Sequence, residues 1–221
     1  MRRGAPRTVR NLIFSIMRPL KPKFKRLLKW SGLLLLTLVL AVGGYVLCLL
    51  ATDNFHAVVP GQVYRSGQMS GSALARVIHA RGIQSVLNLR GGGGADNGYR
   101  DETNTTHQLG VGHYDFALSA GREVSDEEIE AIMETIRHAP KPVLIHCNGG
   151  ADRSALISAI YLYTTQGETA AEASHALTPF YGHIPHLHWR YSIAMDRPYW
   201  RCVSNRTAQA EVRLPVRQVS P

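Results

Sequence analysis

PVLIHCNGGADRSALISAIYLYTTQ, residues 142–166, passes from an apolar run through a Gly-Gly turn into a helical pattern. Residues 142–146 are short and uncharged, as expected of a strand buried on both faces of a parallel sheet. From Ala151 the apolar residues recur at helical spacing, and Gly167 follows as a stop. Strand, glycine turn and helix in direct succession form a βα unit. Open α/β folds bind their ligands at the carboxyl ends of such strands.

The residues in the turn suit an oxyanion. Gly149 and Gly150 let the backbone curl, so the amides from Asn148 through Gly149, Gly150, Ala151 and Asp152 to Arg153 can converge on phosphate. The helix that follows adds the positive end of its dipole. Cys147 lies at the floor of this cradle, where amide donors and a helix N-terminus favour the nucleophilic thiolate. Arg153 can fork two hydrogen bonds onto phosphate oxygens, a geometry Lys does not reproduce. Ser154 can donate to the sulfur, and His146 at the strand end can orient the loop.

Working outward, QVYRS (62–66), IQSVLNL (83–89) and VGHYDFALS (111–119) read as further strands. Residues 72–81, 99–109 and 126–138 read as helices, the last opened by a Ser125/Glu128 capping box. Thr169 and Glu172 form a second such box. The expected fold is α/β, a central, mostly parallel sheet flanked by helices. Residues 53–62 read as a linker, 187–201 as a last helix, and the tail 203–221 as disordered. Arg65 and Arg90 end predicted strands; they can extend the anion site, but the favoured reading is an ion-pair partner at the rim. The glycine run 91–94 reads as a flexible rim loop, and HIPHLH (183–188) as a polar loop near the mouth. No carboxylate or Cys accompanies those histidines at metal-ligand spacing, and no metal is expected.

Charge divides the chain of 221 residues unevenly. Residues 1–30 carry ten basic side chains and no acidic ones, which leaves 15 basic against 16 acidic for the remainder. The net charge of +9 therefore belongs to the N-terminal arm, and no nucleic-acid partner is expected. From Trp30 to Thr52 no residue is charged, a run of 23, enough to cross a hydrocarbon core about 30 Å thick. The organisation expected is a basic cytoplasmic arm (1–30), a transmembrane signal anchor (31–52) and a catalytic domain (53–202). The positive-inside rule then puts the domain outside the cytoplasm, in the periplasm of a Gram-negative cell. Of the three cysteines, Cys48 lies in the span and Cys202 near an expected frayed end.

HCNGGADRS (146–154) resembles the signature of the cysteine-dependent protein tyrosine and dual-specificity phosphatases, most closely their bacterial and fungal branch. YRSGQMS (64–70), VLNLRG (86–91), YDFALSAGRE (114–123), KPVLIHC (141–147) and RYSIAMDRPYW (190–200) resemble segments of that branch in the same order. The resemblance implies a phosphatase domain without metal or cofactor and a phosphocysteine intermediate on Cys147. Where the branch has Thr-Gly after the loop Arg, this chain has Ser154 and Ala155. A general acid is also implied. Asp152, directly before the loop Arg, is favoured; Asp115, about thirty residues before the Cys, is the alternative, and Glu123 follows. The expected substrates are phosphorylated proteins, phospholipids or small phosphate esters. Sulfur transfer, arsenate reduction and inactive phosphate binding are the competing readings.

Overall fold

The computed structural model describes residues 22–92, 97–185 and 193–213. Most of the basic arm, part of the glycine run, His186, His188 and the last eight residues lie outside them. The chain divides into two compact units, Met1–Val46 and Leu47–Pro221.

Helix α1 (Pro22–Ala51) carries four basic residues before Trp30 and no charge from Trp30 onward, and Lys23–Ala51 is long and apolar enough to cross a membrane. Its large side chains are exposed, Leu34 by 72% and Leu40 by 66%. Ser31 and Thr37 donate their hydroxyls back to the carbonyls of Leu28 and Leu33, which leaves little unsatisfied polarity on the helix surface.

The second unit is built on a five-stranded sheet ordered β1-β2-β5-β3-β4. β1 (His56–Val59) runs antiparallel to β2 (Val63–Ser66) at one edge. β2, β5 (Val143–His146), β3 (Ser85–Asn88) and β4 (Gly112–Asp115) are parallel. Registers align the last residues of the four parallel strands: Ser66 opposite His146, His146 opposite Asn88, and Asn88 opposite Asp115. One row of side-chain positions thus crosses the carboxyl edge, where every loop of the site begins.

Pleating sorts the core. Val63, Leu87, Val143 and Ile145 face one layer with Ile132 and Ile136 of α4 (Asp126–His138) and Leu156, Ile157 and Ile160 of α5 (Arg153–Tyr161). Tyr64, Val86 and Leu144 face the other with Leu74 and Ile78 of α2 (Gly71–Arg81), against which α3 (Asn97–Gln108) packs. The capping boxes expected at Ser125/Glu128 and Thr169/Glu172 are formed. Residues 154–161 of α5 are all buried, as fits the central helix of a layer.

Four expectations are corrected. Residues 53–62 are not a linker, because His56–Val59 pair as β1. The strand expected over 111–119 ends at Asp115, and the chain then loops away from the edge. The helix expected through 166 loosens after Tyr161 into one π turn, Leu162–Gln166, closed by Gly167 at φ +75°. The tail is not irregular from residue 203: after a short α6 (Ala170–Ala173), α7 runs from Ile193 to Arg213. Cys202 accordingly packs against the core inside a helix rather than at a frayed end.

Candidate active site

The loop between β5 and α5 is held by its carbonyls. Asn148 O accepts from the Gln68 amide at 3.0 Å, Gly149 O from Asn54 Nδ2 at 3.0 Å, and Gly150 O from Arg65 Nη2 at 2.7 Å. In a trans peptide the N–H points opposite to the C=O. With three successive carbonyls engaged on the outside, the N–H groups of Gly149, Gly150 and Ala151 turn the other way. The result is a nest of donors of the kind that holds oxyanions. Gly150 makes the curl possible, at φ +69°. A Cβ there would come within 2.6 Å of the Gly67 nitrogen, so the two backbones touch.

Cys147, 2% exposed, takes its place at the start of this loop, its amide directed to Ser66 O at 3.4 Å. The Ser154 hydroxyl lies 3.5 Å from Sγ, fully buried at the second position of α5. Arg153 Nη1 donates to Leu118 O at 3.1 Å and, more weakly, to Leu89 O at 3.4 Å. Those carbonyls belong to the loops after β4 and β3, so the guanidinium reaches along the carboxyl edge rather than into solvent. Its buried Nε has no acceptor among the described residues.

Arg65 departs from expectation. It is not at the rim and pairs with no carboxylate in these bonds: it is 2% exposed, donates to Gly150 O and Ala176 O, and lies 4.4 Å over the Tyr181 ring. Burial lowers its pKa to about 10, against the opposing influence of Cys147, Tyr181 and Asp152. Arg90 donates to Gln68 Oε1 at 2.6 Å.

His146 leads to a residue that sequence reading missed. Its Nε2 lies 3.0 Å from Glu102 Oε1, and the same oxygen is 2.7 Å from His113 Nε2. Gln68 Nε2 donates to Glu102 Oε2 at 2.6 Å. Burial pushes Glu102 up, but the bonds from His113, His146 and Gln68 outweigh it and hold the carboxyl at about 2. His113 continues the chain, with Nδ1 3.6 Å from Asp115 Oδ2. Asp115 further accepts from Asn88 Nδ2 at 2.8 Å and from the Tyr99 hydroxyl at 2.7 Å. A polar chain thus runs from the residue before Cys147 to Asp115.

A second cluster stands at the other end of the loop. Asp152, at the N-cap of α5, makes no capping bond with its side chain. Its Oδ1 lies instead 2.7 Å from His183 Nδ1, whose Nε2 is 3.3 Å from Asp196 Oδ2 on α7. Burial works against charge on His183, yet the two carboxylates raise its pKa to about 9. His183 is fully buried rather than part of a polar rim. Glu123 pairs with Arg197 and Arg201.

Among solved structures, TpbA of Pseudomonas aeruginosa superposes with TM-score 0.55 at 20% identity, over 72% of this chain and 92% of its own. The catalytic domain of the PP-IP phosphatase SIW14 of Saccharomyces cerevisiae gives TM-score 0.55 at 20% identity, over 74% and 95%. At such identities the likeness is one of fold. No curated protein matches the sequence significantly. The family described as PTP-SAK, the DSP-PTPase phosphatase domain of a Swiss Army Knife protein, matches residues 52–214. The chain belongs to that family, and it is a cysteine-dependent phosphoric monoester hydrolase.

Proposed function

We propose that Cys147 is the nucleophile, that Arg153 and the amides from Asn148 to Arg153 bind the phosphoryl oxygens, and that the protein works as a membrane-anchored phosphatase. The thiolate attacks phosphorus, the P–O bond to the leaving group breaks, and an acid protonates the departing oxygen. Water then attacks the phosphocysteine; the P–S bond breaks and the Ser154 hydroxyl steadies the departing sulfur. No cofactor or metal enters this scheme. The observation that carries it is the outward anchoring of three successive carbonyls, which aims the following amides at the space above Cys147. Cys147→Ser in the full chain should lower release of phosphate from an aryl phosphate by at least about 1000-fold. Retained turnover would remove the nucleophile assignment.

For the general acid, the geometry favours Asp115 over the Asp152 expected from sequence. Asp152 Oδ1 lies 2.7 Å from His183 Nδ1, whose other ring nitrogen meets Asp196, so that carboxylate is tied toward α7. Asp115 shares the row of strand ends with His146 and has His113 at hand. Asp115→Asn should slow a phosphate ester with a poor leaving group by about 100-fold and leave a nitrophenyl ester nearly unchanged. If Asp152→Asn alone gives that pattern, the order reverts.

Helix α1 serves as the anchor in this reading, with the basic arm cytoplasmic and the catalytic unit extracytoplasmic, since the positive charges precede the apolar run.

A further inference from the structure

Within the unit Leu47–Pro221 the last helical turn is tied directly to the Cys147 loop. Asn54 follows the end of α1 by three residues, and its amide still donates to Leu49 O at 2.7 Å. Its side chain, 4% exposed, donates from Nδ2 to Gly149 O at 3.0 Å and to Tyr181 O at 2.9 Å. One residue therefore bridges the last turn of α1 and the loop that carries Cys147. Adding the span of one Asn to two hydrogen bonds puts Gly149 O on the order of 10 Å from Leu49 O. Around Asn54 the chain is fixed as well: Thr52 donates to Cys48 O, and Asp53 O accepts the Gly67 amide at 2.7 Å. Asp53 and Asn54 both adopt φ +49°, a tight reversal rather than a flexible tether.

The loop that receives the second Asn54 bond is apolar on its outer side. Phe180 is 60% exposed and Ile184 39%. The same loop meets the helix end, where a Cβ on Gly182 would stand 3.8 Å from Leu49 Cδ1. Leu47 and Leu50, in that last turn, are 67% and 69% exposed. Exposed apolar surface thus continues from the end of the helix onto the loop beside the site.

We propose that the substrate is a phosphate monoester carried by a membrane lipid, and that the Phe180–Ile184 loop rests in the bilayer interface while the headgroup enters the Cys147 loop. The headgroup layer adds roughly 5–8 Å to each side of the hydrocarbon. Within Leu47–Pro221 the cradle stands about 10 Å or less from the last apolar turn, a span comparable with that layer. This inference rests on the anchored-phosphatase reading.

The test uses the full chain in phosphatidylcholine vesicles, with four substrates: phosphatidic acid in the same bilayer, its water-soluble dibutyryl analogue, a phosphotyrosyl peptide and an aryl phosphate. Confinement to one surface raises effective concentration, so turnover of the bilayer lipid should exceed that of the dibutyryl analogue and of the peptide by at least about 10-fold. Equal or faster turnover of either soluble ester, with the aryl phosphate hydrolysed, overturns the lipid assignment and leaves the phosphatase intact. Failure on the aryl phosphate as well removes the reading underneath. Two variants sharpen the result: a flexible Gly-Ser spacer inserted between Ala51 and Thr52, and Phe180→Ser. Each should lower the ratio of bilayer-lipid to aryl-phosphate turnover by about 10-fold, the first by parting the Cys147 loop from the last apolar turn and the second by weakening interfacial contact. An unchanged ratio in both overturns the proposal.

Discussion

Two histidine–carboxylate clusters flank the Cys147 loop with opposite arrangements of charge. On the strand side one carboxylate, Glu102, lies among His146, His113 and Gln68. On the helix side one imidazole, His183, lies between Asp152 and Asp196. Their surroundings differ as well. Glu102 and His146 have side chains exposed by 2% and 3%, whereas Asp152 and Asp196 are exposed by 35% and 29%. Removing the centre of the first cluster strands donors inside the protein. Removing the centre of the second leaves two carboxylates that water can reach. The strand side acts as scaffold for His146 and hence for Cys147. The helix side is a tie between the loop and α7 that can be altered without collapse of the core.

Glu102→Ala tests this most severely. Loss of a buried charge with its hydrogen-bond partners left behind is worth about 3–5 kcal/mol. For a domain of this size that is a fall in melting temperature of roughly 10 °C or more, read by thermal unfolding. A fall of under about 2 °C would show that the two clusters are equivalent.

His183→Gln should cost less, about 1–2 kcal/mol, because the carboxylates it leaves are partly hydrated. Its signature is the pH dependence. The folded value of about 9 lies above the ordinary 6.5, so the imidazole's contribution is complete below about pH 6.5 and is lost as pH rises through about 9. Glu102, at about 2 against an ordinary 4.5, contributes fully above about pH 4.5 and loses its contribution as pH falls toward 2. Melting temperatures from pH 6 to 10 should therefore converge between wild type and His183→Gln at the alkaline end. Parallel curves would break the assignment.

Asp196→Asn is the mildest change. Its bond to His183 is 3.3 Å long and partly exposed, and the expected loss is below about 1 kcal/mol. Turnover of an aryl phosphate should stay within about twofold of wild type. A larger fall in turnover would mean that α7 holds the loop more tightly than the exposure of Asp196 suggests.

The sequence is legible where structure is local. The β5–loop–α5 unit could be read because burial on both faces, glycines and helical periodicity are all written in adjacent residues. Cys147, Ser154 and the loop fall where that reading puts them, at the carboxyl edge. Glu102 was hidden because it sits in a polar helix that looks solvated, and its partner His146 is 44 residues away. His183 was read as part of a polar loop because Asp152 lies 31 residues before it. Arg65 was given a rim position because a cation in a strand suggests an ion pair, whereas carbonyls and a tyrosine ring hold it here. β1 escaped because its half-exposed residues carry little periodicity and its pairing is with the next strand. For Glu102, His183 and Arg65 the deciding partner is distant in the chain.

Arg65 and Arg153 bring two guanidiniums to the carboxyl edge of the sheet, each bonded to main-chain oxygens and each with a buried Nε that has no acceptor among the described residues. Positive charge held that way makes the native state thirsty for a counter-ion. Free orthophosphate or vanadate should act as a folding ligand, adding about 2.7 kcal/mol at a hundred times its dissociation constant. The choice of buffer salt then sets how robust the purified protein is, and the reaction's own product protects the enzyme that releases it.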